Sequence, residues 1–289
     1  MTVLAIVFAV LGAACSAVGV RWQHDGVRAE TGGGGLALRN LGDLARNATW
    51  LRGFGILFCC AVLQILALTF APVTVVAPIV VLALPIIALL NPRGLDVAGW
   101  LAVAATTLAV TVFVWRTADE AVHDAVPANA VLWAGALVGG TAAVAVLVAT
   151  MTSGLARCGA LATAAGLAYG LVVVLVRDVT YAVRTEGLAA LPVLSLLGLA
   201  VAFLAGSWLV QLGYASGPPD LVLGVQTLVN PAVATTIGIG LLGETGGIDA
   251  AFLGTLVGCG AVAVTGVAVL ARHHPDAAAY RARLATERS

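Results

Sequence analysis

The chain has 289 residues, 61% of them hydrophobic and 10% charged, with 34 glycines and a mean hydropathy of +1.06. Soluble domains carry about 45–50% apolar and about 25% charged residues, so there is too little charge here to cover a water-facing surface. Fourteen basic residues balance fourteen acidic ones, which leaves no net field for nucleic acid or an acidic partner. Composition excludes a secreted disulfide scaffold, a disordered chain and an ordinary cytosolic enzyme, and points to an all-α, polytopic membrane domain over residues 1–289.

A spanning helix needs about 20 apolar residues. Nine segments meet that length, at about 2–20, 53–71, 74–91, 97–115, 130–151, 158–176, 190–213, 221–242 and 250–271, and none contains Asp, Glu, Arg or Lys. The first has no basic residue before it and reads as a retained helix rather than a cleavable signal. Loop 21–52 follows. Its Gly32–Gly35 tether lacks the Lys-Ser/Thr ending of a phosphate loop. Leu41, Leu44, Ala48 and Leu51 share a helical face, which predicts an amphipathic helix on the inner leaflet. Asn47-Ala48-Thr49 matches a glycosylation acceptor that a cytoplasmic position leaves inert. The third span is interrupted by Pro78 and Pro85 and the eighth by Pro231. A tail, 272–289, ends the chain.

Placing loop 21–52 inside puts eleven arginines on the cytoplasmic side and three (Arg116, Arg177, Arg184) outside. By the bias of basic residues toward the cytoplasm, the N-terminus is outside and the C-terminus inside. The absence of Lys reads as coding bias in a GC-rich genome, and hence a bacterial inner (plasma) membrane. Trp22, Trp50, Trp100, Trp115 and Trp133 sit at span ends as an interfacial belt. Five cysteines lie in apolar runs without C-x-x-C spacing and read as packing residues. Small-x-x-x-small pairs at Gly135/Gly139, Gly166/Gly170 and Gly254/Gly258 predict close helix contacts.

A weak internal repeat is the most informative pattern. Gln64–Pro72 overlays Gln211–Pro219 at an offset of 147, and Ala13–Gly19 resembles Ala164–Gly170. The reading is a first repeat over 1–115, a connector helix at 130–151, and a second repeat over 158–271 of opposite orientation. Inverted repeats with paired Gly/Pro-interrupted spans are characteristic of secondary transporters. The motifs Ala71-Pro72-Val73-Thr74-Val75-Val76-Ala77-Pro78, Ala215-Ser216-Gly217-Pro218, Asn230-Pro231 and Leu242-Gly243-Glu244 resemble those of the drug/metabolite transporter superfamily. A nine-helix, N-out chain is most similar to its EamA/NIPA-like branch. Asn230 stands where many members of that superfamily have Glu, and the first helix offers only Cys15 and Ser16 where the small multidrug branch has Glu.

With no charge inside the spans, a pathway must be lined by amides, hydroxyls, aromatics and carbonyls freed by proline. Pro78 and Pro85, two turns apart, are expected on one face, and Gln226 and Asn230 beside Pro231 on another, opposed across a central cavity. Gln64 and Gln211 are expected nearby. Tyr169 and Trp208 are candidates to stack on a solute, and Glu244 for a coupling or gating role. The expected function is alternating-access transport of a small organic solute. Magnesium transport and a non-transporting scaffold or cell-envelope assembly accessory are the alternatives. No enzyme chemistry, cofactor, metal ligand or nucleic-acid partner is expected; the partners are the bilayer, the solute and, as a candidate, a second copy in a homodimer.

Overall fold

The computed structural model describes residues 2–31, 46–90, 96–120, 128–216, 219–245 and 249–273. In chain order its helices are α1 (Thr2–Thr31), α2 (Ala48–Phe70), α3 (Val73–Ile79), α4 (Ala83–Leu90), α5 (Val97–Asp119), α6 (Ala128–Met151), α7 (Gly154–Glu186), α8 (Val193–Ser216), α9 (Pro219–Gly240) and α10 (Ala250–His273). A 3-10 turn, Val80–Leu82, joins α3 to α4. Among the described residues seven helices (α1, α2, α5, α6, α7, α8 and α10) are long and apolar enough to cross a membrane. An all-helical bundle is what such a sequence must form in lipid, where every backbone N–H and C=O needs an internal partner.

Local chemistry sets the helix ends. The Asn47 Oδ1 accepts from the N–H of Thr49 and Trp50 and starts α2, so the glycosylation-like triplet serves as a helix cap. Asp96 caps α5 through the Gly99 N–H, and Asp249 caps α10 through that of Phe252. Ala71 is extended because it precedes Pro72, and this separates α2 from α3.

Two helices outrun their apolar stretches. The first continues past residue 20 to Thr31, and α7 runs 33 residues to Glu186. At about 1.5 Å per residue, α7 is longer than the roughly 30 Å hydrocarbon layer. Charged residues therefore lie on continuous helices, Arg177 and Asp178 among them: α7 has no proline or glycine between Gly170 and Gly187, and α1 continues through Gly26. Of the amphipathic face expected over 41–51, Ala48 and Leu51 belong to the first turn of α2, which starts after the extended cap residue Asn47. Residues 41–45, the Gly32–Gly35 tether and the tail beyond His273 lie outside the described residues.

Packing organises the bundle around α3, all seven residues of which are buried. It contacts α1, α2, α5, α7 and α9. The first helix presents Ala5, Ala9, Ala13 and Ala17, spaced by four and 0–1% exposed, so its backbone lies close to its neighbours. The main pairs are α1 with α2, α7 with α8 and α9, and α5 with α10, while α6 packs mainly on α7. Gly166 and Gly170 bring α7 against α9, where a Cβ on either would sit 2.7 or 2.9 Å from the Cβ of Val229 or Val233. The other two glycine pairs differ from expectation. Gly135, Gly139, Gly254 and Gly258 have open space where a Cβ would go, and Gly258 borders an open groove between α5 and α10.

Candidate functional site

A cavity of about 260 Å³ lies between α3, α5, α9 and α10. Its inner wall includes Pro78, Ala109, Pro231, Thr235, Leu256 and Ala263. Two of the interrupting prolines, one from each half of the chain, therefore meet at one space. Proline removes a helical N–H and leaves a carbonyl a turn earlier without its usual donor, and the chain responds differently on the two sides. Beyond Pro78 it tightens into the 3-10 turn, whereas α9 runs through Pro231 as one helix. Pro85 is buried in α4 and does not line the cavity.

The amides face elsewhere. At 100° per residue, Leu228, Pro231, Thr235 and Ile239 form the cavity side of α9. Gln226, Asn230, Val233 and Ile237 fall on the opposite side, where Val233 and Ile237 pack with Ala134 and Val174 of α6 and α7. Asn230 Oδ1 is buried there, with no hydrogen-bond partner among the described residues. Gln64 is half-buried in α2 near Gly12 of α1. The side chain of Gln211 lies outside the described residues. Tyr169 bonds the Ser207 hydroxyl at 2.9 Å and meets Phe203 edge-on, which ties α7 to α8. Trp208 is 57% exposed on the outside of α8.

A second constellation sits where α9 ends and α3 begins. The first-turn N–H groups of α3 have no side-chain cap from Pro72. Glu244, just beyond α9, supplies one: its Oε1 accepts from Val73 N–H at 3.0 Å and its Oε2 from Thr74 N–H at 2.9 Å. A carboxylate at a helix start also opposes the positive end of the helix dipole. The approach requires glycine at 238, where a Cβ would lie 2.8 Å from Glu244 Oε2. Arg177 of α7 completes the group, its Nε 3.6 Å from Glu244 Oε1, with the two side chains 3% and 5% exposed. The guanidinium also lies over Tyr181, with its carbon 5.3 Å from the ring centre.

Neighbouring contacts extend this junction. Arg184 Nη1 donates to the Thr69 carbonyl at 2.8 Å, at the end of α2, and Asp178 accepts from Ser195 of α8. One end of α7 thus fastens α2, α3, α8 and the α9 terminus. Glu244, a sequence candidate for coupling or gating, has both oxygens engaged in capping α3. Arg177 follows the apolar run, so hydropathy places it outside the span. The signal for it was the Arg177-Asp178 pair, charged residues inside a stretch with no helix breaker before Gly187.

Compared with known proteins, the chain matches no family model, no curated protein and no solved structure.

Proposed function

We propose that the protein is a secondary transporter of the drug/metabolite type, moving a small organic solute by alternating access of two inverted repeats. The observation that carries this reading is the meeting of Pro78 and Pro231 at one cavity, with α3 packed on α9. Paired proline-bearing spans in the two halves point to the binding site of a secondary transporter; here the chain breaks after Pro78, and α9 carries Pro231 within a continuous helix. The packing supports a duplication with α6 as connector. The α1–α2 pair corresponds to α7–α8, α1 on α3–α4 to α7 on α9, and α3–α5 to α9–α10, while α3–α9 and α5–α10 join the halves.

Counting α3–α4 as one broken crossing and including α9 gives nine crossings in this proposal. The arginine bias supports an outside N-terminus and a cytoplasmic C-terminus in a bacterial inner membrane. The cavity lining offers the hydroxyls of Thr235 and Thr236 and, among the described residues, no carboxylate. Magnesium is usually held through one or two carboxylates, so the lining favours an uncharged or self-neutralised solute over that ion.

The test is counterflow in proteoliposomes with a panel of labelled metabolites, beside a magnesium-sensitive dye. Exchange above that of empty liposomes is expected, falling at least tenfold when Ala263→Phe fills the cavity. A monodisperse protein that exchanges no solute in the panel would overturn the proposal and leave the scaffold alternative; dye response alone would favour magnesium.

A further inference from the structure

The cavity that holds Pro78 and Pro231 is open sideways. Pro78, Ala109, Pro231, Thr235, Leu256 and Ala263 are buried, yet the same wall continues through Leu253, Val257 and Val264, which are 50%, 65% and 50% exposed. These three residues belong to α10, a helix apolar and long enough to cross a membrane, so the surface they share is the one that acyl chains cover. A second apolar groove of about 400 Å³ runs along the α5–α10 seam past Leu108, Val112 and Val262. It shares Ala109 and Cys259 with the cavity, so groove and cavity adjoin at those two residues.

Resting on the transporter reading above, we propose that this cavity binds the alkyl chain of a single-chain amphiphile that enters laterally from the bilayer past α10. Three observations select this occupant. The lining is apolar apart from two threonine hydroxyls, so a polar solute would lose hydration without recovering hydrogen bonds. Apolar cavities stay dry, and the neighbouring medium that can fill this one is hydrocarbon. Its volume of about 260 Å³ falls below the roughly 300–1,000 Å³ typical of pockets for drug-sized ligands, which suits one chain and not a bulky ring system or two chains. Because lipid tails are as apolar as the cavity wall, selectivity must come from packing and shape rather than from a hydrophobic driving force.

The test uses the full chain in liposomes with palmitic acid carrying a photoreactive diazirine on its chain, followed by mass-spectrometric mapping. Labelling of the buried residues Thr235 and Leu256 is expected, suppressed at least fivefold by excess unlabelled palmitic acid. Ala109→Phe, placed where groove and cavity meet, is expected to reduce it by a similar factor. Gly139→Ala, in open space on α6 and away from the cavity, is expected to leave labelling unchanged and serves as the folded control. Labelling confined to exposed residues such as Leu253 and Val257, and unaffected by competitor, would overturn the inference. The two readings separate cleanly: saturable labelling without solute counterflow removes the transporter proposal alone, and counterflow without saturable labelling removes the alkyl-chain site alone.

Discussion

Replacing Glu244 probes the junction between the end of α9 and the start of α3. Glu244→Ala leaves the Arg177 guanidinium, 3% exposed, without its counter-charge, and breaking a buried pair from one side costs roughly 3–5 kcal/mol. It also leaves the Val73 and Thr74 N–H groups without their acceptor, at about 1–3 kcal/mol for each buried unsatisfied donor. These losses share one side chain and do not add, so about 5 kcal/mol is expected in total. Glu244→Gln keeps the volume and one carbonyl acceptor, and about 2–3 kcal/mol is expected. At the observed 3.6 Å, Coulomb's law with an effective dielectric of about 20 gives roughly 4–5 kcal/mol for unit charges. Desolvation offsets part of that, leaving a coupling of about 2 kcal/mol. Equilibrium unfolding by SDS in mixed micelles, run on wild type, Glu244→Gln, Arg177→Met and the double variant, measures it. The double variant should recover much of the loss, since removing both charges of a buried pair is often neutral. A Glu244→Gln loss below about 0.5 kcal/mol, with no coupling to Arg177, would refute the capping and pairing argument.

Glycine substitutions should divide by contact rather than by motif. Gly166→Ala drives a methyl into Val229 and should cost about 1–3 kcal/mol, whereas Gly139→Ala and Gly258→Ala, in open space, should lie within about 0.5 kcal/mol of wild type; thermal unfolding in detergent compares them. Gly266→Ala places its methyl against the buried Thr106 hydroxyl, so it should destabilise the α5–α10 seam and be rescued by Thr106→Ala, read in the same assay. Tyr169→Phe removes the bond to Ser207 and should lower stability by about 0.5–1.5 kcal/mol, with counterflow unchanged because the residue lies between α7 and α8. Asn47→Ala removes the α2 cap and should cost about 0.5–2 kcal/mol, seen as faster hydrogen exchange in the first turn of α2.

The apolar run lengths of this sequence were enough to specify helices and a membrane bundle, because hydrocarbon leaves a backbone no other way to satisfy its polar groups. Pro72 and Pro78 were legible as breaks, since a missing N–H acts locally, whereas α9 runs through Pro231 and Pro85 falls inside α4 away from the cavity. Pairings between distant segments were not. Whether a glycine pair makes a contact depends on which face a neighbour covers, so Gly166/Gly170 and Gly135/Gly139 read alike in sequence and differ in the fold. Hydropathy also marked Arg177 as a loop residue, because it reports transfer to lipid and not the counter-charge that Glu244, 67 positions later, brings to it. The rotation of α9 was likewise a tertiary outcome: the close approach of α7 at Gly166 and Gly170 turns Asn230 toward α7 and leaves Pro231 and Thr235 to the cavity. Composition, run length and proline, which act through solvent and the local backbone, determined the elements. Side-chain faces and charge partners, set by contacts between segments far apart in the chain, were decided only when the helices packed.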